Sequence, residues 1–346
     1  MAGVVPALNV GPKLGNGHFG EVFLGEDGVH GRVAVKVLSR KPEHDDDEWL
    51  AYKAGFLAEA QKLSKAGHRN VVQVFHIEEL PDGNSIRFCM AFCPGGSLQS
   101  SFDVGPMPLL KLRKFATEVS LGLEALHARG MLHRDIKPGN ILIDGNGVAQ
   151  LGDFGLVTDD LILGYGSQAG YSDHIAHEVW LGNGTSTKTD IWALGMTLYR
   201  LLHGKAWYEE SPPARYIVPD GGFANSLRWL PHIPKAWRRA IRKMLNDDPE
   251  HRYQTAGQVL NALSTLPTPS WVVTVIPGLV RWEQTSGERL KVVEWIRHSA
   301  RKHEWKVWSE PVGKAGRKMS LGGSNGLIGQ TQAIRELETL FEGLKA

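Results

Sequence analysis

Three short motifs follow one another in this 346-residue chain, and their order and spacing constrain its fold more than any other feature. A glycine-rich stretch occupies Gly15–Val22, and an apolar run that ends on a lysine occupies Val33–Lys36. The third motif, His133–Asn140, reads His-Arg-Asp-Ile-Lys-Pro-Gly-Asn, and Asp153–Gly155 begins 13 residues after its last residue. The backbone N–H groups of a glycine-rich stretch and the charge of a lysine can bind phosphate groups. Carboxylate and amide oxygens are typical ligands of a hard cation.

The glycine-rich stretch has the form G-x-G-x-x-G-x-V, which alone is a weak signal. A dinucleotide site would need a strand before it and a helix after it. Residues 8–40 instead alternate apolar and polar side chains between glycine clusters, so they predict strands on both sides. This pattern favours a hairpin whose backbone closes over phosphates, although an exposed lysine on an ordinary strand would also explain Lys36.

The rest of the chain changes its period after about residue 92. Residues 49–66 predict a helix and residues 71–92 predict strands. From residue 109 onward apolar side chains recur at helical spacing, and Ile191–Leu202 and Lys235–Leu245 also predict helices. A strand-rich part therefore precedes a helix-rich part.

Taken together, the motifs resemble the eukaryotic-type protein kinases over about residues 8–266. The resemblance implies a two-lobed α+β fold for a kinase domain over 1–266, with a strand-rich lobe over about 1–93 and a helical lobe over about 94–266. It implies ATP- and Mg²⁺-dependent transfer of a γ-phosphoryl group to a protein, with autophosphorylation. The Asp-x-Lys-Pro-x-Asn form around Lys137 favours serine/threonine over tyrosine substrates.

The resemblance also implies a role for each matching residue. Asp135 is expected to orient the substrate hydroxyl, and Lys137 to neutralise charge on the transferring phosphoryl group. Asn140 and Asp153 are expected to hold Mg²⁺. Lys36 is expected to hold the α- and β-phosphates and to pair with Glu59. The remaining nucleotide-binding residues implied are Leu14, Gly15, Gly17, Gly20, Val22, Ala34, Met90, Ala91, Cys93 and Leu142.

Further matching residues imply structural and regulatory roles. Asp190 is expected to brace the loop that carries Asp135, and Arg252 to pair with Glu178. In the segment before Glu178, Thr158 or Ser167 is expected to be phosphorylated, and Arg134 is expected to form an ion pair with that phosphate.

Two positions depart from the family pattern. His177 replaces the usual proline before Glu178, and Tyr171 replaces a threonine. Two alternatives therefore stay open: a signalling scaffold that binds ATP without turnover, and a phosphotransferase for small molecules.

Residues 267–346 lie beyond the resemblance and begin at a break formed by Pro267-Thr268-Pro269. They carry five of the eleven tryptophans and a net charge of +4. Runs at 271–276, 279–283 and 305–308 predict strands, while Arg289–His303 and Gln330–Leu344 predict helices. We expect a small α/β extension that acts as a regulatory or docking module for a protein and is dispensable for ATP chemistry; nucleic-acid binding is less favoured.

Composition excludes several other classes. Apolar residues make up 42% and charged residues 22% of the chain, which excludes a disordered, collagen-like or coiled-coil protein. No apolar run is long enough for a transmembrane segment, and the N-terminus does not read as a secretory signal. Two cysteines, Cys89 and Cys93, cannot form a disulfide framework or a four-ligand zinc site, so a cytoplasmic protein is expected.

Overall fold

The computed structural model describes residues 8–17, 20–40, 42, 44–64, 67–152, 172–313 and 316–344. The described residues form an antiparallel sheet, then a helical layer, then a second antiparallel sheet. This order confirms the predicted fold class, a two-lobed α+β kinase fold with a small C-terminal extension.

The first sheet contains five strands in the spatial order β1-β2-β3-β5-β4. Their bounds are β1 Asn9–Gly17, β2 Gly20–Asp27, β3 Gly31–Ser39, β4 Val74–Glu79 and β5 Ser85–Ala91. Helix α1, Asp46–Ser64, joins β3 to β4 and begins with three acidic residues, which favours a helix N-terminus. One face of the sheet joins the main core, while Val33, Val35 and Cys89 form a separate outer cluster.

The helical layer contains most of the core. Its α-helices are α2 Leu98–Val104, α3 Leu109–His127, α4 His177–Trp180, α5 Thr187–Tyr208, α6 Phe223–Ser226, α7 Lys235–Met244 and α8 Ala256–Ser264. Helix α5 lies at the centre, and Trp192 and Trp207 on it are fully buried. The helices predicted from residue 109 onward, over Ile191–Leu202 and over Lys235–Leu245 are present.

A short hairpin lies between the two lobes. Strands β6 (Ile141–Ile143) and β7 (Ala149–Leu151) pair with each other, and bridges join Leu142 to Ser97 and Leu151 to Val71. The hairpin therefore holds the His133–Asn140 segment against the end of the first sheet.

The second sheet is formed by the C-terminal extension. Its strands run in the order β12-β11-β10-β9-β8, with bounds β8 Val272–Ile276, β9 Leu279–Ser286, β10 Arg289–Arg297, β11 His303–Pro311 and β12 Met319–Gly323. Helix α9, Gln330–Gly343, packs on β11 and buries Ala333, Leu337 and Phe341.

The predicted helix over Arg289–His303 is wrong, because β10 and the start of β11 occupy this stretch. A helix here would need to bury Val292 and Val293 on one face. In the strand they face opposite sides, and both are buried. Val292 lies opposite Trp308 on β11, while Val293 and Trp295 join the main core.

The extension and the helical lobe share one continuous core. The ring centroids of Trp207 and Trp295 lie 6.1 Å apart, and those of His232 and Trp282 lie 6.0 Å apart. Ion pairs at the rim join Arg297 to Glu210 at 2.7 Å, Lys235 to Glu342 at 2.7 Å, and Arg238 to Glu338. Among the described helices, none combines the length and apolar character that crossing a membrane requires.

Candidate active site

A cavity of about 590 Å³ lies between the first sheet and the helical lobe. Strands β1, β2 and β3 contribute Leu14, Gly15, Val22, Ala34 and Lys36, so the predicted hairpin forms one wall. The opposite wall comes from the loop before β6 and from the segment that joins the lobes. An apolar slot that also carries two lysines, Lys36 and Lys137, and the amide of Asn140 has the chemistry to hold a nucleotide.

Asp135 is fixed by two neighbours on its own loop. Its Oδ2 accepts a hydrogen bond from Lys137 Nζ at 2.6 Å and another from Asn140 Nδ2 at 2.7 Å. All three side chains are at least nine-tenths buried. Because these donors come from fixed positions in the Pro138–Asn140 turn, the carboxylate has one orientation.

The nitrogen and the oxygen of the Asn140 side-chain amide lie in different environments. Its Nδ2 donates both to the Asp135 carboxylate and to the Asp135 backbone carbonyl, at 2.7 and 2.8 Å. Because both partners are acceptors, the nitrogen must face them and Oδ1 must face away. Asn140 lines the cavity, and Oδ1 accepts no hydrogen bond from any described residue. A free amide oxygen at this place fits Mg²⁺, which prefers oxygen ligands.

The loop that carries Asp135 is held from below by Asp190 on α5. One carboxylate oxygen accepts from the backbone N–H of His133 at 2.9 Å, and the other from that of Arg134 at 2.8 Å. Arg134 has a φ of +65°, a left-handed conformation that costs a non-glycine residue about 1–3 kcal/mol. The two hydrogen bonds offset this strain, as the bracing role predicted for Asp190 requires.

The predicted pairing of Arg252 with Glu178 is also present. Arg252 Nη1 and Nη2 contact the two carboxylate oxygens of Glu178 at 2.8 and 2.6 Å, in a bidentate geometry. Thr189 donates to the same carboxylate at 3.0 Å and ties α4 to the start of α5.

Asp135 lines a second, smaller hollow and not the nucleotide cavity. Its lining includes His174, Ile175 and Ala176, which come just before Glu178. His174 Nε2 contacts Arg200 Nη1 at 2.8 Å. Burial, then the charges of Arg200 and Lys137, lower the pKa of His174 well below its usual value, so the imidazole is neutral.

The joining segment contains Cys93, whose Sγ donates to Gln150 Oε1 at 3.5 Å. Burial, followed by the charge of Asp144, raises the pKa of this thiol to about 11. Cys93 therefore contributes apolar lining and no reactive thiolate.

Most of the predicted site residues meet at this cavity. Those that line it are Leu14, Gly15, Val22, Ala34, Lys36, Met90, Ala91, Cys93, Lys137, Asn140 and Leu142. Gly20 does not line it: a Cβ there would lie 2.1 Å from the carbonyl oxygen of Val37, so the close approach of β2 to β3 requires this glycine. Gly17 lies at the end of β1 and is paired with Gly20.

Several predicted residues lie outside the described residues. They are Asp153, Thr158, Ser167 and Tyr171. Glu59 belongs to α1, and its side chain is likewise outside the description.

Sequence reasoning missed part of the lining. Val72 precedes β4, and Ser97 and Gln99 lie at the start of α2. No motif marks them, because only the docking of the two lobes brings them to the cavity. Gly139 lies inside the third motif and could have been included.

Comparisons with known proteins agree with this geometry. Residues 8–263 match the family described as protein kinase domain. A probable serine/threonine-protein kinase of Clostridium acetobutylicum is 28% identical over 263 residues, covering 73% of this chain and 39% of the relative. The serine/threonine-protein kinase PrkC of Bacillus subtilis is 30% identical over 250 residues, covering 70% and 38%.

A relative from a plant shows the same likeness. A mitogen-activated protein kinase kinase kinase of Arabidopsis thaliana is 33% identical over 287 residues, covering 75% of this chain and 43% of the relative. The chain therefore spans about two fifths of the length of these three relatives, between 38% and 43%.

Proposed function

Because the chain belongs to the protein kinase domain family, we propose that it transfers the γ-phosphoryl group of ATP to serine or threonine hydroxyls of a protein. The main support is that Lys137 and Asn140, which both donate hydrogen bonds to the Asp135 carboxylate, line a nucleotide-sized cavity together with Lys36. Relatives with the same domain are named serine/threonine-protein kinases.

In this proposal the chain's own side chains position the reactants. Lys36 binds the α- and β-phosphates, and the apolar lining around Ala34, Met90 and Leu142 holds the adenine. Asp135 accepts a hydrogen bond from the attacking hydroxyl and orients it in line with the γ-phosphate. Lys137 lies 2.6 Å from that carboxylate, so its charge also reaches the transferring group.

Asn140 Oδ1 and the Asp153 carboxylate are the proposed ligands of Mg²⁺. A bound Mg²⁺ would neutralise negative charge on the phosphate groups. The hydrogen bonds from Asn140 to Asp135 keep its oxygen turned towards the cavity.

The test uses labelled ATP, Mg²⁺, the full chain and a generic protein acceptor. We expect phosphoserine or phosphothreonine in the acceptor and some label on the chain itself. Lys36→Met and Asp135→Asn should each lose more than about 99% of transfer, since positioned electrostatic groups contribute about 10²–10³-fold. Lys205→Met, an exposed lysine on α5, is the matched control and should retain full activity.

Three results would contradict the proposal. Wild-type turnover by Lys36→Met or Asp135→Asn would reject the assigned site. ATP binding without transfer would favour the scaffold, and label only on small hydroxyl compounds would favour a small-molecule phosphotransferase.

For the C-terminal extension we propose a role in substrate choice. Its outer face carries Trp308, with Lys318 Nζ 3.6 Å and the Arg281 guanidinium 5.7 Å from the ring centroid. Among the described residues, those that line the cavity all precede residue 153, and none belongs to the extension. Lys318→Ala combined with Arg281→Ala should change the KM for a protein substrate and leave the KM for ATP unchanged. An equal change in the KM for the protein substrate and the KM for ATP would reject a role of the extension in substrate choice.

We also propose that the protein acts in the cytoplasm. Both cysteines are free and buried, which is the usual state in a reducing compartment, and ATP is abundant there. Cell fractionation followed by immunodetection tests this location.

A further inference from the structure

Three side chains with metal-binding chemistry converge on the outer side of the first sheet, away from the nucleotide cavity. They are Asp27 at the end of β2, His76 on β4 and Cys89 on β5. One ligand atom from each, a carboxylate oxygen, a ring nitrogen and Sγ, lies within 4.8 Å of the other two. None of the three lines the cavity described above.

The register of the sheet explains how the three meet. His76 and Cys89 are direct partners in the β4–β5 ladder, so their side chains leave the same face side by side. Cys89 is also paired with Val35 on β3. The β2–β3 hairpin ends at Asp27 and Gly31, and its tip folds over this face, where His30 stacks on Phe75 with 4.0 Å between centroids.

The convergence lies in a buried part of the sheet. Asp27 is 4% exposed and Cys89 is fully buried. A bound cation would stabilise a thiolate and a carboxylate at this place together.

The hydrogen bonds of Asp27 leave one oxygen for another ligand. Its Oδ1 accepts from the backbone N–H groups of Val29 and His30, at 3.0 and 2.8 Å, and contacts His30 Nδ1 at 2.8 Å. These contacts explain the turn and orient the carboxylate, and all of them use the same oxygen. Among the described residues, none hydrogen-bonds to Oδ2 or to the ring of His76.

We propose that Asp27, His76 and Cys89 bind a Zn²⁺ ion on the outer face of the first sheet. Zinc takes thiolate, imidazole and carboxylate ligands together, whereas Mg²⁺ and Ca²⁺ take oxygen alone. A tetrahedral zinc with bonds of about 2.0–2.3 Å requires ligand atoms about 3.3–3.7 Å apart, so a contraction of about 1 Å closes the site. His76 is only half-buried, so water can take the fourth position.

The ion would fasten the tip of the β2–β3 hairpin to β4 and β5. His30 would act as the outer partner that holds the carboxylate, as such groups do at zinc sites. The same hairpin carries Lys36, so the ion would stiffen the strand that presents this lysine to the cavity.

The test measures metal binding directly and uses no kinase activity. The full chain is incubated with Zn²⁺ in excess Mg²⁺, passed through gel filtration and analysed by elemental mass spectrometry. We expect one zinc per chain. Replacing Zn²⁺ with Co²⁺ should produce a thiolate-to-cobalt charge-transfer band, which an all-oxygen magnesium site cannot give.

Matched variants identify the thiolate. Cys89→Ser should lose the charge-transfer band, and Cys93→Ser, which changes the other buried cysteine, should keep it. His76→Gln changes a half-buried residue and should lower zinc affinity by at least about tenfold while the circular-dichroism spectrum stays unchanged. Absence of zinc from the wild-type chain, a band that survives Cys89→Ser, or full affinity in His76→Gln would each overturn the proposal.

Discussion

Buried charges near the cavity are satisfied by partners from distant parts of the chain. Along the chain, Arg252 is 74 residues from Glu178. Asp190 accepts hydrogen bonds from two backbone N–H groups that lie more than 50 residues before it. A buried charge without its partner is costly, so each pair makes the fold and the site depend on each other.

Removal of Arg252 tests this dependence. Arg252→Met should lower the free energy of unfolding by about 3–5 kcal/mol, because it leaves the Glu178 carboxylate buried without its cation. Chemical denaturation followed by tryptophan fluorescence measures the loss. The double variant Arg252→Met, Glu178→Gln should recover part of it. A loss below about 1 kcal/mol would mean that the pair contributes little.

The reactivity of Cys93 depends on its raised pKa. With a pKa of about 11, only about one thiol in ten thousand is ionised at pH 7, and the thiolate is the reactive form. Alkylation by iodoacetamide should therefore be very slow at pH 7 and accelerate about tenfold per pH unit up to pH 10. Peptide mass spectrometry follows the rate, with glutathione as the control. Rapid labelling at pH 7 would contradict this prediction.

At the scale of elements, two of the glycines in the β1–β2 hairpin, Gly15 and Gly20, are each needed for a different physical reason. A Cβ on Gly15 would meet no atom within 4 Å, and Gly15 lines the cavity. A Cβ on Gly20 would overlap the backbone of β3. The glycine motif therefore combines an open wall of the cavity with tight packing between strands.

Alanine substitutions separate these two reasons. Gly20→Ala should force β2 away from β3 and lower the melting temperature by several degrees, because backbone cannot yield as a side chain can. Gly15→Ala is the matched control for folding: its melting temperature should stay within about 1 °C, while the KM for ATP rises. Calorimetry and steady-state kinetics measure both. Equal melting temperatures for the two variants would contradict the explanation of Gly20.

At the scale of the whole molecule, the extension is part of the helical lobe's core. Trp282 and Trp295 are fully buried, and Trp237 Nε1 donates to the carbonyl of Pro267 at 2.8 Å. Residues 267–346 are expected to be dispensable for ATP chemistry, but the shared core means that their removal also exposes apolar surface of the helical lobe.

Deletion of the extension should destabilise the lobe. Two buried tryptophans at about 150–250 Å² each, at about 25 cal/mol per Å², contribute roughly 7–12 kcal/mol of apolar burial. The chain 1–266 should therefore aggregate or melt at least about 10 °C below the full chain. The control is Leu321→Ala on the exposed strand β12, which should not change the melting temperature. A stable, active 1–266 would restore the expectation of an independent module.

The amino-acid sequence by itself predicted the loop that carries Asp135, Lys137 and Asn140 and most of the described cavity lining. The motifs that contain these residues and Lys36 resemble those of the protein kinases, and each motif is a short local stretch that can be recognised without the fold. The order of strands and helices in the first 266 residues followed from apolar period for the same reason.

Only the tertiary structure decided the rest. The stretch Arg289–Arg297 is a strand that pairs with β9 on one edge and β11 on the other. Its sequence did not show this, because apolar side chains on both faces remove the alternation that distinguishes a strand from a helix. The cluster of Asp27, His76 and Cys89 was invisible because its members come from three strands and share no spacing. The presence of only two cysteines excluded a zinc site formed by four of them. A site with one carboxylate, one imidazole and one thiolate could not be found by counting, because it depends on which side chains the sheet register places side by side.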